Sequence, residues 1–479
     1  MIWHISFFSA MPADDAYIHM RIARNLVTHG VPYFNVDQAV AGSSSVLWLL
    51  LVSGTFFVAG ADPQYIMILS MVLTVALFAA CTALFATRYS RVSAVCLAFV
   101  LLACTALGPA AALMETPTAL LFWTMSLVFA HRRAWVWVGV CAGLAVATRY
   151  EFALWAALVL CIPDTMKNRG RVLAGLAPVG MALTAFNMYF FGALIPHTVK
   201  AKAIVYSDNV YDSFYRSGLP TNLWLFISMV IVFGVLIWLC MKQRVPRSMY
   251  IGGIFGMLIL LLYLAQDVFI FPWYMPIYMY PILGAALYAY STRHAVVGAL
   301  ATTVLVFFGS AAVILATENA HALHTHDLRA MPGFTVGMRV QQYLAIGDDL
   351  AREFPSATVM APEIGGLAWT FPGHITDAVG LVSPECLVYH PLAVPQDRPN
   401  SIIGAIPPGA VRDLQPDIIV SMEIFSEAVR RDMANGTITG YRLYDQYPLV
   451  PPSVSEEPSS FWDSTWIQVF ARMPAKAAQ

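Results

Sequence analysis

Charge is what this 479-residue sequence has least of. Its 27 Lys and Arg and 28 Asp and Glu make 11% of the chain, against about 25% in an ordinary soluble domain. With 59% of residues hydrophobic, that scarcity excludes a disordered chain and an ordinary cytosolic enzyme. Cysteine is sparse as well. Cys81, Cys96, Cys104, Cys141, Cys161 and Cys240 fall in apolar runs, where cysteine behaves as a small hydrophobe. Only Cys386 lies in the more polar C-terminal part, which therefore forms no internal disulfide, and no zinc-ligand spacing occurs. The basic residues form no stripe, which excludes nucleic acid as a partner. What the sequence does have is long apolar runs, the mark of a polytopic α-helical membrane protein.

The net charge of −1 conceals two parts. Residues 1–316 hold 17 Lys/Arg and 10 Asp/Glu, a balance of +7, whereas residues 317–479 hold 10 and 18, a balance of −8. The composition predicts a transmembrane domain over 1–316 and a soluble domain over 317–479. Strand-like stretches at Thr358–Ala361, His374–Ala378 and Asp417–Ser421, with helical stretches at 336–353 and 425–434, make the second a small α/β layer fold.

Apolar runs lie at 65–86, 92–109, 116–131, 134–148, 150–163, 172–191, 221–241, 248–265, 273–290 and 294–316. Basic clusters at Arg88/Arg91, Arg132/Arg133, Lys167/Arg169/Arg171, Lys242/Arg244/Arg247 and Arg293 occupy every second connector, and an excess of Lys and Arg marks the cytoplasmic side. The acids, not used in that assignment, agree with it: of ten in the apolar part, only Asp164 falls inside. The C-terminal domain then lies outside a plasma (inner) membrane. Ser44–Val58 is apolar, but counting it as a span reverses the topology, so it is expected to lie in the outer interface within a first outer loop at 12–64. The apolar start, Met1–Met11, covers only about 17 Å as a helix. It reads as the end of a truncated first span, for about 10–11 transmembrane helices in all.

The outer connectors carry the candidate chemistry. Asp14-Asp15 precedes Tyr17–Asn25 with Arg21 and Arg24; adjacent carboxylates suit a general base or a metal ligand, a divalent cation if any, or else cap a helix. Glu115 interrupts a long uncharged stretch, as a functional acid or as a solvated loop end. Arg149 and Glu151 either pair with each other or bind a substrate phosphate and hydroxyl. His197, Lys200 and Lys202 place cations on the side where lysine is not expected, which suits an anionic ligand. Trp273 and Tyr274 read as an aromatic belt, and His321/His324/His326 with Asp327 as a solvated linker of loose metal spacing.

In order along the chain, Asp14-Asp-Ala-Tyr-Ile-His-Met-Arg-Ile-Ala-Arg-Asn-Leu26, Gly30, Phe34-Asn35 and Ser43-Ser-Ser-Val-Leu-Trp48 resemble the first outer loop of the GT-C superfamily of polytopic glycosyltransferases, above all its bacterial arabinofuranosyltransferase-like branch. Met114-Glu115, Thr148-Arg-Tyr-Glu151, Phe191–Lys200, Pro272-Trp-Tyr274, Pro362-Glu-Ile-Gly-Gly366 and the Asp377–Leu381 region match in turn. Departures are Ala41 in place of a Glu, Val46 in place of a Pro, and Tyr150 in place of a Pro. The first of these bears on substrate identity more than on reaction class.

The resemblance implies an inverting transferase that moves a sugar, an arabinofuranose in this branch, from a polyprenyl-phosphate donor to a glycan, lipid or protein acceptor. Asp14 or Asp15 would be the base that deprotonates the acceptor hydroxyl. His197, Lys200, Lys202 and Arg149 would face the donor phosphate, and Glu115 and Glu151 the sugar hydroxyls. Arg21, Trp48 and Asp377 would complete the binding groups. A transporter or flippase of a lipid-linked sugar is the alternative from another class. It should place ionisable residues at the bilayer midplane between repeated halves, but here they cluster in the outer connectors and no repeat is visible. A non-catalytic scaffold is the third, and it has no need of acids and cations gathered beside a membrane.

Overall fold

The computed structural model describes residues 12–205, 246–266, 273–289, 332–398, 404–450 and 463–473. The apolar runs at 221–241 and 294–316, the start Met1–Met11, Asp208, Asp212, Asp267 and the histidines 321, 324 and 326 lie outside them. In chain order the main helices are α1 (Asp14–His29), α2 (Val46–Ala59), α3 (Pro63–Phe85), α4 (Arg91–Thr105), α5 (Thr116–His131), α6 (Trp135–Thr148), α7 (Ala153–Cys161), α8 (Arg169–Phe191), α9 (His197–Val205), α10 (Arg247–Gln266), α11 (Met275–Ala289), α12 (Pro332–Glu353) and α13 (Gly365–Thr370). The chain forms two compact units. One comprises Met1–Ser9, Ser44–Tyr189 and Asp212–Thr317; the other comprises Ala10–Ser43, Phe190–Tyr211 and Glu318–Gln479. The second thus holds both the Asp14-Asp15 segment and the His197 segment.

The first unit is helical, and eight of the apolar runs coincide with its helices. Among the described residues, α3 and α8 are long and apolar enough to cross a membrane, each at 23 residues, and shorter apolar helices accompany them. The start of α3 is set locally: Pro63 takes a first-turn position and the Asp62 carboxylate accepts the Gln64 N–H at 2.8 Å. Helix α2 has 14 residues, about 21 Å of rise, which falls short of a hydrocarbon core of about 30 Å. Helices α6 and α8 meet through glycines. A Cβ on Gly139 would lie 1.9 Å from the Val172 carbonyl oxygen, and one on Gly175 2.0 Å from that of Val136. Backbones this close need small residues. Aromatic rings fill the middle, with Trp123 packed on Trp155, Phe255 and Tyr280.

The second unit is an α/β layer. Strands β1 (Val359–Ala361), β2 (Ile375–Asp377), β3 (Ile418–Met422), β4 (Tyr441–Pro448) and β5 (Trp466–Arg472) form one sheet in the order β2-β1-β3-β5-β4. The pairs β1–β2 and β1–β3 are parallel, while β5 runs antiparallel to β3 and β4. The parallel strands are buried throughout, as strands covered on both faces must be, whereas edge strand β4 is largely exposed. The other edge is occupied by a side chain: the Asn35 amide donates to the Ile375 carbonyl at 2.9 Å and accepts its N–H at 3.2 Å. Under the sheet, Met360, Ile406, Val411, Ile419 and Val429 form a core cluster, each worth about 1.5–3 kcal/mol on burial.

Candidate active site

Helix α1 brings Asp14 and Asp15 to its first turn, where its dipole favours acids. At the other end Gly30 adopts φ +75° and its N–H bonds the Leu26 carbonyl, a left-handed stop. Neither aspartate caps the helix: the cap position is Ala13 and carries no side-chain bond. Asp14 turns away instead, accepting the backbone N–H of Gly365 at 3.0 Å and of Gly366 at 2.8 Å, one on each carboxylate oxygen. Gly365 is obligatory, since a Cβ there would lie 1.9 Å from the Asp14 carbonyl oxygen.

Beside this pair lies an acid that the sequence did not single out. The buried Glu363 carboxylate lies 2.7 Å from the guanidinium of Arg339. Burial pushes its pKa up to about 7; Arg339 opposes the shift, and the charges of Asp14 and Asp15 add to it. The visible signal was its place in Pro362-Glu-Ile-Gly-Gly366, an acid just ahead of the two glycines that hold Asp14. Two aspartates and a carboxyl that takes up a proton near neutral pH make an arrangement suited to accepting a proton. Among the described residues, no group of three His, Cys, Asp or Glu side chains is gathered for a metal ion.

The remaining candidates of this unit fall in two places. Arg21 is buried and donates to the carbonyls of Phe34, Ala368, Phe371 and Gly373 at 2.7–3.0 Å; burial lowers its pKa to about 9. Asp377 closes β2 and accepts the N–H groups of Val379, Leu381 and Val382 at 2.9, 2.6 and 3.1 Å. It thereby shapes a loop whose Gly380 carbonyl receives the Nε2–H of His197 at 3.0 Å. Burial raises the Asp377 pKa to about 7, with those backbone bonds opposing. Lys200 is exposed one turn along α9 from His197, and Lys202 is half-buried.

The helical unit gathers the others. Arg149, at the end of α6, donates to Glu115 and to Glu151 at 2.7 Å each and lies 4.1 Å above the Tyr274 ring. Tyr263 donates to the same Glu151 oxygen at 2.9 Å. Arg149 and Glu151 therefore pair, as one alternative held, and Glu115, only 5% exposed, joins them. Tyr263 was not foreseen, because nothing in the apolar run around it marks one tyrosine from another. Trp48 is buried in α2 at 1% exposure.

No family model matches the chain. It is similar to a terminal β-(1→2)-arabinofuranosyltransferase of Mycobacterium tuberculosis, 28% identical over 258 residues, which cover 47% of this chain and 40% of that protein. A protein of the same description from Corynebacterium glutamicum is 25% identical over 280 residues, 49% of this chain and 40% of that one. The matched region thus spans well under half of the curated relatives' length. Among solved structures, ArnT from Cupriavidus metallidurans bound to undecaprenyl phosphate matches over 99% of this chain and 96% of its own, with TM-score 0.52 and 14% identity. Its apo state matches over 98% and 95% with the same TM-score and 15% identity. At that identity the likeness speaks for the fold. The chain thus shares the fold of ArnT along nearly its whole length and is similar, over about half of it, to two arabinofuranosyltransferases.

Proposed function

We propose that the protein is a multi-pass membrane glycosyltransferase that transfers a sugar, an arabinofuranose by the names of its relatives, from a polyprenyl-phosphate donor to an extracytoplasmic acceptor with inversion. About 10–11 transmembrane helices, with the second unit and the active face outside the plasma membrane, complete the reading. The observation that carries it is the head of α1, where two aspartates and the buried Glu363 meet in the unit that also holds His197, Lys200 and Lys202. Asp15 is the base in this reading and Asp14 its positioning residue: both Asp14 oxygens hold backbone N–H groups at the start of α13, which ties down the head of α1. The acceptor hydroxyl loses its proton to Asp15 as its oxygen attacks the anomeric carbon. The lipid phosphate leaves as an anion, stabilised by charge rather than by protonation, and the cations of α9 supply that charge. Arg149, shared between Glu115 and Glu151, sets the orientation of those carboxylates toward sugar hydroxyls.

The test is transfer from a polyprenyl-phosphate arabinofuranose donor by membranes carrying Asp15→Asn. A general base contributes about 10²–10⁴-fold, so turnover falls by that factor with expression unchanged. Full transfer by Asp15→Asn alone reverses the assignment of the two aspartates. Full transfer by both Asp15→Asn and Asp14→Asn overturns the mechanism.

A further inference from the structure

The helical unit contains a cavity of about 500 Å³ that the reaction above does not use. It is lined by His131 and Arg133 at the α5–α6 turn, Trp135 at the start of α6, Lys167 between α7 and α8, and Arg247 and Ser248 at the start of α10. Glu115 precedes the first residue of α5 and His131 is its last, 16 residues on, so about 24 Å of helix separates the cavity from the Glu115–Arg149–Glu151 cluster. The two sites occupy opposite ends of the same helices.

Charge and backbone both distinguish this cavity. Three fixed cations converge on it, and among the described residues no carboxylate lines it. Such a set repels itself until an anion enters. Arg133 sits at φ +57°, the left-handed position of a helix stop in which Arg133 N–H bonds Ala130 and Ala134 N–H bonds Phe129. Glycine is the unstrained residue there, yet the chain carries an arginine, and that arginine lines the cavity. Cations that serve only to fix topology need no cavity, no neighbouring tryptophan and no arginine in a glycine position. The volume falls within the range of small-ligand sites.

We propose that this cavity binds the phosphate-bearing headgroup of an anionic lipid at the end of the helical unit opposite the Glu115–Arg149–Glu151 cluster. The proposal rests on the membrane reading of the helical unit and is independent of the transfer reaction. In the topology given above the headgroup belongs to the inner leaflet, where basic pockets between helices take phospholipid heads.

The experiment uses the full chain in detergent, stripped of lipid and titrated with phosphatidylglycerol, with phosphatidylcholine as control, under native mass spectrometry. Wild type holds one phosphatidylglycerol in preference to phosphatidylcholine. Arg133→Gly removes one cation while relieving the left-handed backbone, so it folds and binds about fivefold more weakly, the factor equivalent to about 1 kcal/mol. Ser248→Trp keeps every cation and fills the space, so specific binding is lost. Should that variant fail to fold, Arg133→Gly decides. Inorganic phosphate that displaces the lipid at millimolar concentration upholds the phosphate site and makes its source a soluble anion. Phosphatidylglycerol retained equally by wild type and by both folded variants overturns the proposal.

Discussion

Replacing Gly365 by alanine tests whether the acid pair is held where the chemistry needs it. The new Cβ would stand 1.9 Å from the Asp14 carbonyl oxygen and 2.9 Å from its Cγ. Carbon and carbonyl oxygen tolerate about 3.3 Å, so α13 must retreat from α1 by roughly 1.4 Å. The obstacle is backbone, and no side-chain rotation relieves it. A retreat of that size stretches both Asp14 hydrogen bonds, now 2.8 and 3.0 Å, past the range in which they hold. Each is charge-assisted and worth about 1.5–3 kcal/mol, so partial relaxation leaves a loss of about 3 kcal/mol. For a unit of this size that lowers the melting temperature by about 6–12 °C. A displaced base of about 1 Å costs on the order of 10²-fold in turnover. Thermal melting of the purified protein and the arabinofuranose-transfer assay read the two effects. The matched control is Gly54→Ala in α2, where a Cβ meets nothing within 4 Å and the helix gains about 0.5–1 kcal/mol. Wild-type melting and wild-type transfer by Gly365→Ala would refute the reasoning.

Three further outcomes follow from the same geometry. Glu363 has a folded-state pKa of about 7, above its ordinary 4.5; its contribution is fully present below pH 4.5 and is lost as pH rises through 7, about 3 kcal/mol in all. Melting temperature should therefore fall between pH 5 and 8, where Asp377, raised to about 7 as well, adds to the fall, and Glu363→Gln should make that fall shallower without abolishing it. Arg149→Lys keeps the charge but cannot bridge Glu115 and Glu151 at 2.7 Å each while covering Tyr274; a buried carboxylate loses its partner, about 3–5 kcal/mol by thermal melting. Gly139→Ala drives a Cβ to 1.9 Å from Val172 O and should cost about 1–3 kcal/mol, whereas Gly170→Ala, which meets nothing within 4 Å, should melt as wild type.

The helices were legible because apolar runs bounded by basic connectors are a one-dimensional signal, and 116–131 returns as α5 residue for residue. The sheet was legible as three short buried strands, but β4 was not, since Tyr441–Pro448 is mostly exposed and carries no apolar alternation. Asp14, Asp15 and Arg149 were readable as types; their partners were not. Asp14 meets Gly365 some 350 positions away, and only folding in three dimensions supplies that neighbour. Glu363 escaped notice because its perturbed proton affinity comes from burial and from charges on another segment. Neither quantity is written in its local sequence.

The spacing of the first motif has a structural reason of its own. Asp14 and Arg21 are seven residues apart on α1, two turns or about 10.5 Å, and so share one face. The six residues of α13 span about 9 Å. Asp14 takes the N–H groups of Gly365 and Gly366 at one end of that short helix. Arg21 takes the carbonyls of Ala368 and Phe371 at the other. An anion at the amino end and a cation at the carboxyl end are the arrangement that a helix dipole favours. Arg21 is then a clamp, which accounts for its burial and for the four carbonyls it holds. The clamp also fixes the second aspartate. Successive residues on a helix lie about 100° apart, so Asp14 and Asp15 leave α1 in different directions. Of the adjacent carboxylates, Asp14 thus anchors the head of α1 to α13.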